Sequence, residues 1–192
     1  MKSIFKPLIV SSFLLICLSA CASAEVSTKS IVQLQTNTDG YIYVGDKLLV
    51  GEIEKVIIQP VASQLEARID TGATTSSLDV RNIRRFKQNG RDWVQFDLLD
   101  RQTGEVITIE RPLVRNARIM QSNAEESEVR PVVLMPLTLA DKTWSVAFSL
   151  TDRKHLTYPV LIGRNVIKGR VVVDVSKKHI APLKLSVHPS TE

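Results

Sequence analysis

Asp70 is the residue on which chemistry could turn. It closes the stretch Leu65-Glu66-Ala67-Arg68-Ile69 and opens Thr71-Gly72-Ala73-Thr74-Thr75, so a carboxylate stands directly after a strand-like run and before a glycine-containing tight turn. A carboxyl group held there can take a proton from water or give one to a carbonyl, as a general acid–base group. Asp and Gly are also the ordinary residues of turns, and the tripeptide alone does not separate the two roles. A later segment changes the weighting: Val160-Leu161-Ile162-Gly163-Arg164-Asn165, an apolar run closed by Gly-Arg-Asn.

Other chemistries are poorly provided for. The two cysteines, Cys17 and Cys21, both fall within the first 21 residues. The remainder therefore offers no disulfide scaffold, Cys-based zinc site, Fe–S cluster or cysteine nucleophile. His155, His179 and His188 show no His-Glu-x-x-His spacing, and no Gly-rich loop ending in Lys-Ser/Thr is present to cradle a phosphate. No cofactor and no metal are expected.

The elements that must position Asp70 read as strands. Val94, Phe96 and Leu98 alternate with Gln95 and Asp97, and Trp144, Val146, Phe148 and Leu150 alternate with Ser145, Ala147 and Ser149. That is the period of half-buried strands. The continuous apolar runs Val132-Val133-Leu134, Val160-Leu161-Ile162 and Val171-Val172-Val173 suggest strands buried on both faces. Asp100–Gly104 reads as a hairpin loop. Leu78, Ile83 and Phe86 mark one candidate short helix, and a second helical turn is expected after Gly163. An all-β single domain follows, without repeats or an internal linker.

The 192 residues, 44% hydrophobic and 23% charged, suffice for one domain with a core. Lys2 and Lys6 precede an apolar run from Leu8 to Leu18, which has the form of a secretory signal over residues 1–20. Leu18-Ser19-Ala20-Cys21 resembles a lipobox, making Cys21 the expected lipidation site, while Ala22-Ser23-Ala24 offers an ordinary cleavage site. Residues 21–39, rich in Ser, Thr, Gln and Val, read as a tether, and the domain is expected over 40–192. Loss of residues 1–20 would remove two lysines and no acid, taking the formal charge from +5 to +3. An excess that small and scattered gives no reason to expect nucleic acid as a partner.

The two motifs together resemble the retropepsins, the single-domain aspartic proteases. The likeness is closer still to a bacterial branch often labelled "ATP-dependent zinc protease". Its pattern is matched in order by Gly51-Glu52-Ile53-Glu54-Lys55-Val56, Trp93–Phe96, Ser122, Asn123, Glu128, Arg130 and Pro131, Leu150–Arg153, Pro159–Arg164 and Val173-Asp174-Val175. The resemblance implies a closed all-β barrel with one or two short helices. It implies that Asp70 is the catalytic carboxylate, that Thr71 braces the loop, and that Gly72 allows close approach of a symmetry mate. Ala73, Gly163, Arg164 and Asn165 would form the supporting layer.

Aspartic proteolysis needs two carboxyl groups, and two held about 3 Å apart share one proton. The chain has a single Asp-Thr-Gly, so the second carboxylate must come from another copy, in a two-fold homodimer. Ser122, Asn123, Glu128 and Arg130 are candidates for the flap or the substrate wall. Ala22 after Cys21 is the pattern of a lipoprotein sorted to the outer membrane, facing the periplasm. The expected activity is hydrolysis of peptide or amide bonds. A non-catalytic peptide-binding lipoprotein with the same fold is the alternative.

Overall fold

Alternating side chains become strands almost throughout. A computed structural model describes residues 34–119, 128–152 and 157–183, all within one compact unit that spans Val32–Glu192. The strands before the Asp70 loop are β1 (Leu34–Thr36), β2 (Ile42–Val44), β3 (Lys47–Ile58) and β4 (Leu65–Ile69). After it come β5 (Ser76–Asp79), β6 (Arg81–Gln88), β7 (Arg91–Leu99), β8 (Val106–Pro112) and β9 (Arg115–Ile119). The chain continues with β10 (Glu128–Leu139), β11 (Lys142–Thr151), β12 (Val160–Ile162), the helix α1 (Arg164–Ile167) and β13 (Val171–Lys178).

Two sheets result. The larger follows the order β1-β2-β3-β4-β12-β5-β11-β10-β9, and β13 pairs with β3. β10 also pairs with β3 through Leu137–Leu139, so the hydrogen-bonded path β3-β4-β12-β5-β11-β10 returns to β3. The smaller sheet, β6-β7-β8, is built by the residues between β5 and β9. Val94, Phe96 and Leu98 of β7 share one core with Val146, Phe148 and Leu150 of β11 and with Val56 and Ile58 of β3. Each such side chain contributes about 1.5–3 kcal/mol through burial.

Several sequence expectations are corrected. Leu78, Ile83 and Phe86 do not lie on a helix. Leu78 belongs to β5, Ile83 lies where the β6–β7 register shifts between Arg81 and Arg84, and Phe86 meets the Trp93 ring at 6.3 Å between centroids. The bulge, with Asn82 at φ 55°, interrupts the two-residue period and produces a false helical spacing. The expected turn after Gly163 is α1. The apolar runs are buried on both faces only in part: Leu134 is exposed, and Leu161, Val172 and Val173 are half-buried. The strand ladder also begins before Gly40, because β1, within the residues assigned to a tether, pairs with β2.

The Gly51-x-x-Glu54 spacing has a physical cause. A Cβ on Gly51 would lie 2.4 Å from the Lys177 carbonyl oxygen, so the β13 backbone crosses where only glycine fits. Three residues on, the fully buried Glu54 carboxylate accepts hydrogen bonds from Gly51 N (2.6 Å), Ile180 N (3.1 Å) and Ala181 N (3.2 Å). A buried carboxylate is tolerable only with such partners. It ties the chain after β13 to β3.

Candidate active site

The Asp70 loop owes its shape to β12. That strand runs parallel to β4 on one side and antiparallel to β5 on the other. Residues 70–75, which join β4 to β5, must therefore arch over the end of β12, and Asp70 N donates to Ile162 O at 2.8 Å as the arch begins. Gly163 sits beneath the crossing. A Cβ there would lie 2.8 Å from the Thr75 carbonyl carbon and 2.9 Å from the Ala73 oxygen, both backbone atoms.

Within the loop, Asp70 Oδ1 accepts hydrogen bonds from Gly72 N at 2.9 Å and Ala73 N at 3.2 Å. Oδ2 takes no hydrogen bond from the described residues, so half of the carboxylate remains available. Gly72 matters for proximity: a Cβ there would lie 3.2 Å from Asp70 Oδ1. The Thr71 hydroxyl makes no hydrogen bond among the described residues, and the side chain is exposed. Its carbonyl, not its hydroxyl, ties it to the rest of the chain.

Gly163, Arg164 and Asn165 supply the floor. Arg164 Nη1 donates to the carbonyls of Thr71 (3.2 Å) and Gly72 (2.5 Å), and Nη2 donates to Thr74 Oγ1 (2.8 Å). The Arg164 backbone N donates to Ala73 O at 2.8 Å. Asn165 Oδ1 accepts from Ser76 N (2.9 Å) and Ser76 Oγ (2.8 Å), while Asn165 Nδ2 donates to Ala147 O (2.9 Å). Ser76 Oγ in turn accepts from Gly163 N at 3.0 Å. The buried Ser76 is thus the hub between loop and floor, a role no motif announced. All seven residues of the expected Asp70 site and its support are brought together.

Beside the loop opens a cleft of about 670 Å³, walled by Gly72–Thr75 on one side and by β9 with Arg130 of β10 on the other. Arg115 Nη2 donates to Thr75 Oγ1 at 3.2 Å, and Arg118 lines the same wall. Arg130 Nη2 meets Glu128 Oε2 at 2.5 Å, and Glu128 Oε1 accepts from Thr151 Oγ1 at 3.4 Å. Arg130 Nε is buried without a hydrogen-bond partner among the described residues. Three arginines line this cleft, two of them, Arg115 and Arg118, unforeseen, because strand pairing and not spacing brings β9 here. Ser122 and Asn123, in the stretch joining β9 to β10, lie outside the described residues, and so does Cys21 near the N-terminus.

Among the described residues no group of three or more His, Cys, Asp or Glu side chains converges as a metal site. His179 instead pairs with Glu66 at 3.0 Å.

A carboxylate in an Asp-Thr-Gly-Ala arch, carried on a Gly-Arg-Asn floor within an all-β domain, is the arrangement of an aspartic-protease-like fold. The chain belongs to the RimB-like family of retropepsin-like aspartic endopeptidases, whose family model matches residues 49–184. A crystal structure of a Legionella pneumophila protein of unknown function is similar at 30% identity with a TM-score of 0.59, over 68% of this chain and 95% of that one. Relatives named probable alpha-L-glutamate ligase include those of Desulfotalea psychrophila, 34% identical over 57% of this chain, and Shewanella pealeana, 37% identical over 59%. A third, from Parasynechococcus marenigrum, is 31% identical over 69% of this chain. The matched region covers only 24%, 25% and 29% of these three relatives.

Proposed function

We propose that the chain is an aspartic peptidase that works as a two-fold homodimer and hydrolyses peptide bonds within acidic, glutamate-rich segments. The observation that carries this is Asp70: Oδ1 is fixed by two backbone N–H groups, and Oδ2 is unengaged among the described residues. In the dimer one Asp70 carboxylate takes a proton from water as the oxygen attacks the scissile carbonyl. The other, protonated, donates to the carbonyl oxygen. The exposed Thr71 and Gly72 are the parts of the loop free to meet the second copy. The path of paired strands that returns to β3 supports a closed barrel as the frame.

Arg115, Arg118 and Arg130 supply the reason for acidic side chains, since guanidinium groups pair strongly with carboxylates. The relatives' name points the same way: a glutamate ligase makes glutamyl peptide bonds, and a peptidase domain sharing that chain would act on such bonds. Residues 1–20 are proposed as a leader and Cys21 as a lipid anchor in the periplasmic face of the outer membrane. Metabolic labelling with a fatty acid should mark wild type and fail in Cys21→Ser.

The test is hydrolysis of an oligoglutamate by the full chain, compared with Asp70→Asn. Activity should fall by about 10²–10⁴-fold in the variant, the contribution of a positioned acid–base group. Equal activity in the two proteins sinks the mechanism. Preference for an oligoglutamine over the oligoglutamate sinks the substrate class.

A further inference from the structure

The inserted β6-β7-β8 sheet does more than add core. Val94, Phe96, Leu98 and Ile109 account for its inner face. At the end nearest β9, however, that same face stops being apolar. Arg85 pairs across the ladder with the buried Val94, and Lys87 with Asp92, so both project on the core-facing side where the core has run out. They line a hollow of about 330 Å³ with Phe86, Asp92, Leu113 and Asn116.

Asn116 also lines the arginine cleft, so the hollow and the cleft adjoin at β9. Lys87 and Asp92 are 3.2 Å apart but largely exposed, at 76% and 59%. Such a pair is worth about 0–1 kcal/mol and yields readily to another carboxylate. Arg85 has no hydrogen-bond or ion-pair partner among the described residues.

We propose that this hollow is an exosite, which holds the acidic tract of a substrate beyond the segment seated in the cleft. It rests on the acidic-peptide reading of the cleft. The occupant is fixed by charge, two cations against one carboxylate in the hollow, and by the adjoining arginine wall on the far side of Asn116. Charged side chains on a free edge such as β6 also discourage pairing with other strands. That role requires neither a concave hollow nor a place beside the cleft.

The test uses the full-length Asp70→Asn protein, which binds without cutting, and fluorescent oligoglutamates of four and twelve residues at one ionic strength. The longer peptide should bind about tenfold more tightly, equivalent to 1.4 kcal/mol. Adding Arg85→Ala and Lys87→Ala should erase that advantage while leaving the short peptide's affinity within about twofold, which also shows that the fold is intact. Asp92→Asn should enlarge it. A length advantage that survives the double substitution, or equal binding of both lengths by Asp70→Asn alone, overturns the exosite while the cleft stands. Failure of even the short peptide to bind overturns the cleft reading and the exosite with it. Binding of a twelve-residue oligonucleotide as tight as the long peptide's, and equally sensitive to the double substitution, makes the hollow a polyanion site and overturns its assignment to a peptide.

Discussion

Gly163 has no room for a methyl group. Its neighbours are backbone atoms of the Asp70 arch, which cannot rotate away as a side-chain tip can. Gly163→Ala is therefore expected to cost about 1–3 kcal/mol by overpacking and to displace the loop, with activity lost well below the unfolding temperature; thermal melts beside peptidase assays would show this. Asn165→Ala acts differently, by orphaning the N–H of the buried Ser76, and about 1–3 kcal/mol for that group is expected in urea denaturation; the half-buried Ala147, which also loses its Asn165 partner, can turn to water instead. Asp70, Gly163 and Asn165 were legible because tight backbone approach leaves its mark in residue type. Ser76 was not, since a serine after Thr-Thr announces nothing until Gly163 N and Asn165 converge on its hydroxyl.

At the scale of elements, strand period was the legible part, and it failed where the backbone left the period. The bulge at Asn82 is bridged by Asp97 of β7, whose Oδ2 accepts from Asn82 Nδ2 at 2.7 Å and Oδ1 from Thr108 Oγ1 of β8 at 2.8 Å. The Asn82 amide first, and the Thr108 hydroxyl second, hold the Asp97 carboxyl below the usual carboxylate range. A folded-state value below the unfolded one adds stability above the unfolded pKa, which is lost as pH falls through the folded value. The stability gap between wild type and Asp97→Ala should thus be widest near neutral pH and close below about pH 4. Chemical denaturation at the two pH values checks this, and a gap that widens in acid contradicts it. The cleft wall was illegible for a related reason: β9 is placed beside the Asp70 loop by its ladder with β10, and no local pattern encodes a neighbour across a sheet.

At the scale of the whole molecule, the proposed dimer makes each chain provide half of a working site. Activity per protein should therefore fall on dilution through the dimer dissociation range, with analytical ultracentrifugation placing that range. Mixing wild type with an equal amount of Asp70→Asn, allowing exchange, should leave about a quarter of the dimers with two intact carboxylates. Activity near one half of the unmixed value would mean that each copy works alone.

The pairing of β3 with β13, sealed by Glu54 on Ile180 and Ala181, joins the first third of the domain to its last residues. Sheet partners so distant in sequence meet late, because loop-closure entropy must be overcome before they repay it. A nascent chain carries Asp70 long before Gly163, Arg164 and Asn165 exist to floor its loop. On the peptidase reading proposed above, the arrangement times the chemistry: a growing chain has no formed arch with which to cut itself or its neighbours, and the arch is completed only when synthesis of the domain is almost over.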